Sequence, residues 1–123
     1  MGTVVQLKNR INNSYSELKS SVDDKLVLVE ERIKSKLSSK VDLVDEMTKY
    51  HLRTGGKRLR AMLTLGSARL CGYQKGSRDV NLAACVELIH AATLMHDDVI
   101  DNSEVRRGKK TLNKIWGNQS SIL

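Results

Sequence analysis

Proline and phenylalanine are absent from the 123-residue chain, and only three tyrosines and one tryptophan are present. Strand-type patterning is weak whereas apolar residues recur at helical spacing, so we predict an all-α protein. The shortage of aromatic rings argues against the stacking platforms by which proteins bind single-stranded nucleic acid. No apolar run is long enough to cross a bilayer, which leaves at most peripheral membrane contact.

Cysteine is also scarce, with only Cys71 and Cys85 present. Both lie among apolar residues, and neither has a second ligand at a recognised metal-site spacing. We therefore predict that both are buried packing residues in a reducing compartment. The first residues lack the apolar run of a signal peptide. These absences together predict a cytoplasmic protein.

Basic residues are in excess, because 21 Lys and Arg stand against 14 Asp and Glu, which gives a formal net charge of +7. Such an excess favours an anionic partner. On this ground alone the partner could be nucleic acid, an anionic membrane surface or a phosphorylated small molecule.

Helical periodicity divides the chain into a series of helices. We expect them over 4–18, 21–37, 41–53, 57–70, 79–101 and 111–116. Ser21 is the expected N-cap of the second helix, Gly55 and Gly56 should end the third, and Thr111 should cap the last. The helix over 79–101 is apolar almost all round, so we expect it to be buried on most sides.

That central helix needs more partners than the other helices supply. The chain also stops at SSIL, in what is typical of the opening of a further helix. We therefore expect residues 1–123 to be the N-terminal portion of a single larger helical domain.

Three aspartates cluster near the end of the helix predicted over 79–101. Asp97 and Asp101 are four residues apart and share a face, and Asp98 lies on the same edge. Carboxylates this close repel one another, and acidic groups at a helix C-terminus oppose the macrodipole. Carboxylate oxygens suit Mg²⁺, which completes its shell with water and substrate phosphates. The cluster predicts a Mg²⁺–diphosphate site, with a merely solvated helix end as the alternative.

Cationic residues flank this cluster in the sequence. Arg106 and Arg107 follow in a predicted polar loop, where neighbours point in opposite directions and can bind two different phosphate groups. Lys57 and Arg60 follow a glycine pair in the first turn of a helix, whose free N–H groups suit an anion. His90, seven residues before the first aspartate, is either a core histidine or a further donor to an anion.

The motif GGKRLR, followed by ELIHAATLMHDDVIDNSEVRRGKKTLNKIWGN, resembles the trans-type polyprenyl diphosphate synthases, and especially their long-chain, octaprenyl-like members. The resemblance implies a helical bundle of the isoprenoid synthase type, here truncated to its N-terminal helices. It also implies a Mg²⁺-dependent condensation of isopentenyl diphosphate with an allylic diphosphate. The product would be a long-chain all-trans polyprenyl diphosphate, a quinone side-chain precursor.

The resemblance implies a role for each residue that matches a family motif. The catalytic, Mg²⁺-binding DDxxD motif is matched by Asp97, Asp98 and Asp101. The isopentenyl diphosphate ligands are matched by Lys57, Arg60, His90 and Arg107. Arg106 matches the ligand of the allylic diphosphate. Ala92 and Thr93 would line the tunnel for the growing chain, and their small size favours a long product.

Two departures from the family pattern stand out. Ala61 follows Arg60 where the family usually has proline. The chain also contains no second aspartate-rich motif, so it would hold half of the catalytic site. We therefore expect it to be inactive alone, and to act as a homodimer or with a complementing C-terminal half.

Two other classes of protein stay open. The His96-Asp97 pair is typical of helical HD-type metal phosphohydrolases, but the remaining histidines, His51 and His90, lie in no matching motif. A basic, non-enzymatic anion-binding helical module would explain the net charge but not the aspartates. Binding to a phosphate backbone weakens steeply with salt and needs no Mg²⁺, which separates that module from a Mg²⁺–diphosphate site.

Overall fold

The computed structural model describes residues 2–37, 42–53, 56–101, 104–106 and 108–122. The helices are α1 (Gly2–Lys36), α2 (Asp42–Arg53), α3 (Leu59–Leu70), α4 (Arg78–Ile100), α5 (Leu112–Trp116) and α6 (Asn118–Ile122). A short antiparallel hairpin pairs β1 (Val105–Arg106) with β2 (Lys109–Lys110). The all-α prediction is confirmed apart from this hairpin. No helix in the described part of the chain has both the length and the apolarity that a bilayer crossing requires.

The core lies where α1, α3 and α4 meet. Each of the three helices contributes residues at helical spacing to this core. The buried core residues are Val22, Val29 and Ile33 of α1, Ala61, Met62 and Leu65 of α3, and Val80, Ala83 and Ala84 of α4. The core residues of α4 all lie in its first half. The C-terminal end of that helix, which carries the aspartates, therefore lies outside the core.

Helix α1 continues through Ser21 without a break. The prediction of two helices with Ser21 as an N-cap is therefore wrong. The Ser21 hydroxyl instead donates to the Leu18 carbonyl at 2.7 Å, a contact that serine commonly makes in the middle of a helix. Because its hydroxyl makes this contact inside α1, Ser21 does not cap the N-terminus of a helix.

Helices α3 and α4 form an antiparallel hairpin. Helix α3 ends at the Cys71 C-cap, and Gly72 follows with a φ of 80°, the left-handed conformation that glycine tolerates best. The first turn of α4 is tied to α1 by an ion pair between Lys25 and the buried carboxylate of Asp79. The Lys25 ammonium also lies 5.5 Å from the ring centroid of Tyr73. These contacts fix the turned end of the hairpin on α1.

Helix α4 buries one side only. The predicted bounds are confirmed to within a residue at each end, but the expected burial on most sides is wrong. Leu82 and Ile89 are 56% and 60% exposed, because the described elements that pack on α4, which are α1, α3, α5 and α6, leave these side chains uncovered. The prediction that both cysteines are buried is also wrong: Cys71, at the end of α3, and Cys85, on α4, are free thiols and both are exposed.

Candidate functional site

The aspartate cluster lies at the C-terminal end of α4. The Asp101 amide donates to the Asp97 carbonyl at 2.8 Å, so helical geometry continues through the cluster. The side chains of Asp97 and Asp101 are exposed, one turn apart on one face. Asp98 is only 5% exposed and interacts with a neighbouring group. The cluster therefore combines two accessible carboxylates with a buried one.

The accessible pair fits a particular kind of metal ligation. Among the described residues, no group of three or more His, Cys, Asp and Glu side chains is arranged to enclose a metal ion. Mg²⁺ needs no such enclosure, since it keeps several waters and is bound by one or two carboxylates plus substrate phosphates. Asp97 and Asp101 supply two hard oxygen donors of this type. The donor set suits Mg²⁺ that bridges to phosphate, and it does not suit a closed structural zinc site.

The hairpin begins at Val105, four residues after Asp101. Thr111 donates its amide to the Glu104 carbonyl at 3.0 Å, and the Cα partners within the hairpin are Val105 with Lys110 and Arg106 with Lys109. Gly108 directly precedes β2 and has a φ of 73°, the left-handed conformation that glycine tolerates best. The sequence predicted a polar loop here, because strands of two residues carry no readable periodicity.

Of the two arginines predicted as ligands, only one falls in the described part of the chain. The backbone of Arg106 forms β1, directly after the aspartate end of α4. Arg107 lies outside the described residues. The role of Arg106 as a ligand stays a prediction.

Aromatic and ionic contacts hold the hairpin against α2 and α5. The Tyr50 hydroxyl donates to the Lys110 carbonyl at 2.5 Å, and the Tyr50 ring packs edge-to-face on Trp116 with centroids 5.4 Å apart. The Lys114 ammonium donates to Glu104 at 2.8 Å. That hydrogen bond and the attraction of the ammonium hold the pKa of the Glu104 carboxyl below its usual range. These contacts hold the hairpin in place against α2 and α5.

Lys57 and Arg60 lie at the start of α3 and are both exposed. The Lys57 ammonium is 5.7 Å from the ring centroid of Tyr15, whose hydroxyl donates to the Lys57 carbonyl at 3.4 Å. Helix α3 begins at Leu59, so Lys57 precedes the first turn and does not lie within it as predicted. Gly55, expected to end the preceding helix, lies outside the described residues.

A buried carboxylate that the sequence analysis missed organises the start of α3. Glu87 of α4 is 6% exposed, and it accepts a hydrogen bond from the Ala61 amide at 3.0 Å. It also lies 3.7 Å from the Arg58 guanidinium, which forms a second ion pair with Glu30. Arg58 is held at a φ of 55°, a left-handed conformation that costs energy for a residue with a side chain.

This network corrects one expectation about the anion site. The sequence predicted free N–H groups in the first turn of α3, but the Ala61 amide is already bonded to Glu87. The sequence did carry a signal for this, since an acidic residue inside an apolar helix is almost never buried without a partner. The Ala61 amide is therefore not available to an anion bound at this end of α3.

The remaining predicted residues lie between these two regions on α4. His90 is half-buried and interacts with a neighbouring group. It is seven residues before Asp97, which places it about 10 Å away along the helix axis on nearly the same face. Ala92 is half-buried, and the exposed Thr93 donates its hydroxyl to the His90 carbonyl at 2.8 Å. The tunnel role of Ala92 and Thr93 stays a prediction.

Two cationic segments thus lie along one helix. The Glu87–Ala61 hydrogen bond places the first turn of α3, with Arg60, beside α4 about one turn from His90. The hairpin with Arg106 adjoins the other end, at Asp101. The structure does not bring Lys57 or Arg60 into a recorded contact with the aspartates among the described residues.

The chain is similar in sequence to known proteins over most of its length. Residues 41–123 match the family model described as Polyprenyl synthetase. The octaprenyl diphosphate synthase of Escherichia coli (strain K12) is 46% identical over 91 residues, which are 74% of this chain and 28% of that protein.

Solved structures agree with that match. A decaprenyl diphosphate synthase from Rhodobacter capsulatus aligns with a TM-score of 0.81 at 44% identity, over 88% of this chain and 33% of that one. A polyprenyl synthase from Caulobacter crescentus CB15, complexed with calcium and isoprenyl diphosphate, aligns with a TM-score of 0.84 at 37% identity and the same coverage. The chain spans about a third or less of the length of each of these relatives.

Proposed function

The chain belongs to the polyprenyl synthetase family, and from that premise we propose that it is the diphosphate-binding part of a prenyltransferase. The reaction condenses isopentenyl diphosphate with an allylic diphosphate to give a long-chain all-trans polyprenyl diphosphate. The observation that carries the proposal is the pair Asp97 and Asp101. They are exposed, one turn apart, and adjoin a cationic hairpin while forming no ion pair with any described cation.

The carboxylates and the hairpin would act on the allylic substrate. Asp97 and Asp101 would hold Mg²⁺, with the buried Asp98 as the third carboxylate of the site. Bound Mg²⁺ supplies positive charge to the diphosphate oxygens. Arg106 would orient the allylic diphosphate and stabilise the charge that develops on it as the C–O bond breaks.

The second diphosphate would be held farther back along α4. The proposed ligands of isopentenyl diphosphate are Lys57, Arg60, His90 and Arg107. The separation of about 10 Å between His90 and Asp97 along α4 suits two diphosphates better than one. The double bond of the isopentenyl group would attack the allylic carbon as the diphosphate of the allylic substrate leaves. Loss of a proton from the isopentenyl unit would complete the condensation. Ala92 and Thr93 would leave room for the growing chain beside α4.

The described bundle supports only part of that reaction. Because the chain spans about a third of its relatives, we propose that it is the N-terminal portion of the synthase domain and is inactive alone. The exposed apolar residues Leu63, Leu82 and Ile89 support further contacts, with a complementing C-terminal half or within a homodimer. A cytoplasmic location belongs to this proposal as well.

The first experiment measures binding by the chain itself. Titration with geranyl diphosphate in a calorimeter should give heat only when Mg²⁺ is present, and the Asp97→Ala, Asp101→Ala variant should give none. Asp23→Ala, which removes an exposed carboxylate from α1, is the matched control and should bind as the parent does. Binding without Mg²⁺ that falls steeply with added salt would indicate the basic anion-binding module instead.

The second experiment measures turnover. Radiolabelled isopentenyl diphosphate, an allylic primer and Mg²⁺ are supplied to the chain, to a C-terminal half of a related synthase, and to both together. We expect polyprenyl product only in the mixture, and none when the mixture contains Asp97→Ala, Asp101→Ala. Product formation with that variant would contradict the metal role, and release of inorganic phosphate without chain growth would indicate a phosphohydrolase.

A further inference from the structure

The hairpin carries more positive charge than the proposed function uses. Besides the two arginines, Lys109 and Lys110 form β2, and both are exposed. Glu104 is the carboxylate nearest the hairpin in sequence, and it is already paired with Lys114. Within the described ranges, neither lysine of β2 forms an ion pair. Cations left unneutralised in a segment that its neighbours hold in place favour an anion as the missing partner.

The register of the hairpin separates the two lysines. Lys109 is the Cα partner of Arg106, whereas Lys110 is the partner of Val105. Residues directly opposite each other across an antiparallel pair lie on the same face with Cβ atoms about 5 Å apart. Successive residues of a strand lie on opposite faces. Lys109 therefore shares the face of Arg106, and Lys110 belongs to the other face.

Pairing two cations in this way is unfavourable without a ligand, because like charges directly opposite each other destabilise a strand pair. A diphosphate between them removes that repulsion and gains charge-assisted hydrogen bonds from both. The hairpin cannot simply splay to relieve the repulsion, since the Tyr50 hydroxyl and the Thr111 amide fasten its open end.

We propose that Lys109 is a second cationic ligand of the allylic diphosphate, and that it acts on the same face of the hairpin as Arg106. The inference rests on the proposed function and adds a ligand to it. Lys109 binds the diphosphate group through the positive charge of its ammonium, whereas Lys110 takes no part in binding.

The experiment compares these adjacent lysines in the full 123-residue chain. Binding of geranyl diphosphate in the presence of Mg²⁺ is measured for the parent, Lys109→Ala, Lys109→Arg and Lys110→Ala. Removing one charge-assisted contact should weaken binding about tenfold in Lys109→Ala. Lys109→Arg should bind within about twofold of the parent because it keeps the charge, and Lys110→Ala should be unchanged. Fluorescence of Trp116, the single tryptophan, reports whether the hairpin keeps its packing in each variant.

Each outcome decides between the inference and its premise. If Lys109→Ala binds as the parent does while Asp97→Ala, Asp101→Ala does not bind, the inference is wrong and the proposed function stands. An equal loss in Lys109→Ala and Lys110→Ala would show a diffuse charge effect, which also overturns the inference. If the parent shows no Mg²⁺-dependent binding, both the inference and the proposed function are wrong.

Discussion

Helix α4 holds two of its carboxylates near its start, and two others at its end, in opposite situations, while Asp98 between the latter two is buried like the first pair. In the first half, Asp79 and Glu87 are buried, and each faces a cation of another element, Lys25 or Arg58. At the end of the helix, Asp97 and Asp101 are exposed, and no cation in the described ranges pairs with either. A buried charge must be neutralised within the chain, whereas the exposed pair stays available to a cation from solution.

The helix dipole sharpens this contrast. Asp79 lies in the first turn of α4, where the positive end of the dipole stabilises a negative charge. Asp97 and Asp101 lie at the last turn, where the same dipole opposes them. No basic residue of α4 itself offsets them there. The helix dipole therefore does not stabilise Asp97 and Asp101, and a cation from solution would do so.

The largest effect is expected at Glu87. Glu87→Ala should lower the free energy of unfolding by about 3 kcal/mol, because it leaves the largely buried Arg58 with one partner fewer and the Ala61 amide without an acceptor. Glu87→Gln should cost about half of that, since its amide oxygen can still accept from Ala61. Urea unfolding followed by far-UV circular dichroism measures both.

A matched control for Glu87 is Glu31→Ala on the exposed side of α1. It should change the free energy of unfolding by no more than about 0.5 kcal/mol. If Glu87→Ala cost no more than this control, the buried network would not organise the start of α3, and the contrast between the two halves of α4 would fail.

A smaller effect of opposite sign is expected at the other end of the helix. Without Mg²⁺, the Asp97→Asn, Asp101→Asn variant should gain about 0.5 kcal/mol of unfolding free energy, because it relieves repulsion and an unfavourable dipole interaction. Addition of Mg²⁺ and pyrophosphate should raise the melting temperature of the parent and leave that of the variant unchanged. A stability loss as large as that of Glu87→Ala would mean that these carboxylates are structural.

Sequence periodicity accounts for most of the fold. It located α4 and α5 to within a residue at each end, because their apolar spacing and flanking glycines are local signals. It failed at Ser21, where a serine inside one long helix was taken as the start of a second one. The burial of α4 was overestimated for a different reason. Its apolar surface predicts packing partners, but it does not show that the described elements of this chain are those partners.

The candidate site, like the fold, was predictable from local sequence patterns only in part. The spacing of Asp97 and Asp101 on one helical face followed from their separation of four residues alone. The contact between Glu87 and the start of α3 joins residues 26 apart in sequence, which no local pattern encodes. The register that pairs Arg106 with Lys109 joins strands of two residues each, which are too short to show a readable alternation in the sequence.

Glu104 offers a third kind of carboxylate, exposed yet paired, and gives the smallest expected effect. Because Lys114 lowers the pKa of Glu104 in the folded chain, the pair stabilises the hairpin at any pH above the ordinary glutamate pKa. This contribution is lost as the pH falls through the lowered value. NMR titration of the Glu104 side chain should show its midpoint rising toward the ordinary range in Lys114→Met, whereas Lys8→Met on α1 should leave it in place. Coincident titration curves for the parent and Lys114→Met would show that the exposed pair is screened by water, leaving only the buried carboxylates of α4 neutralised by the chain.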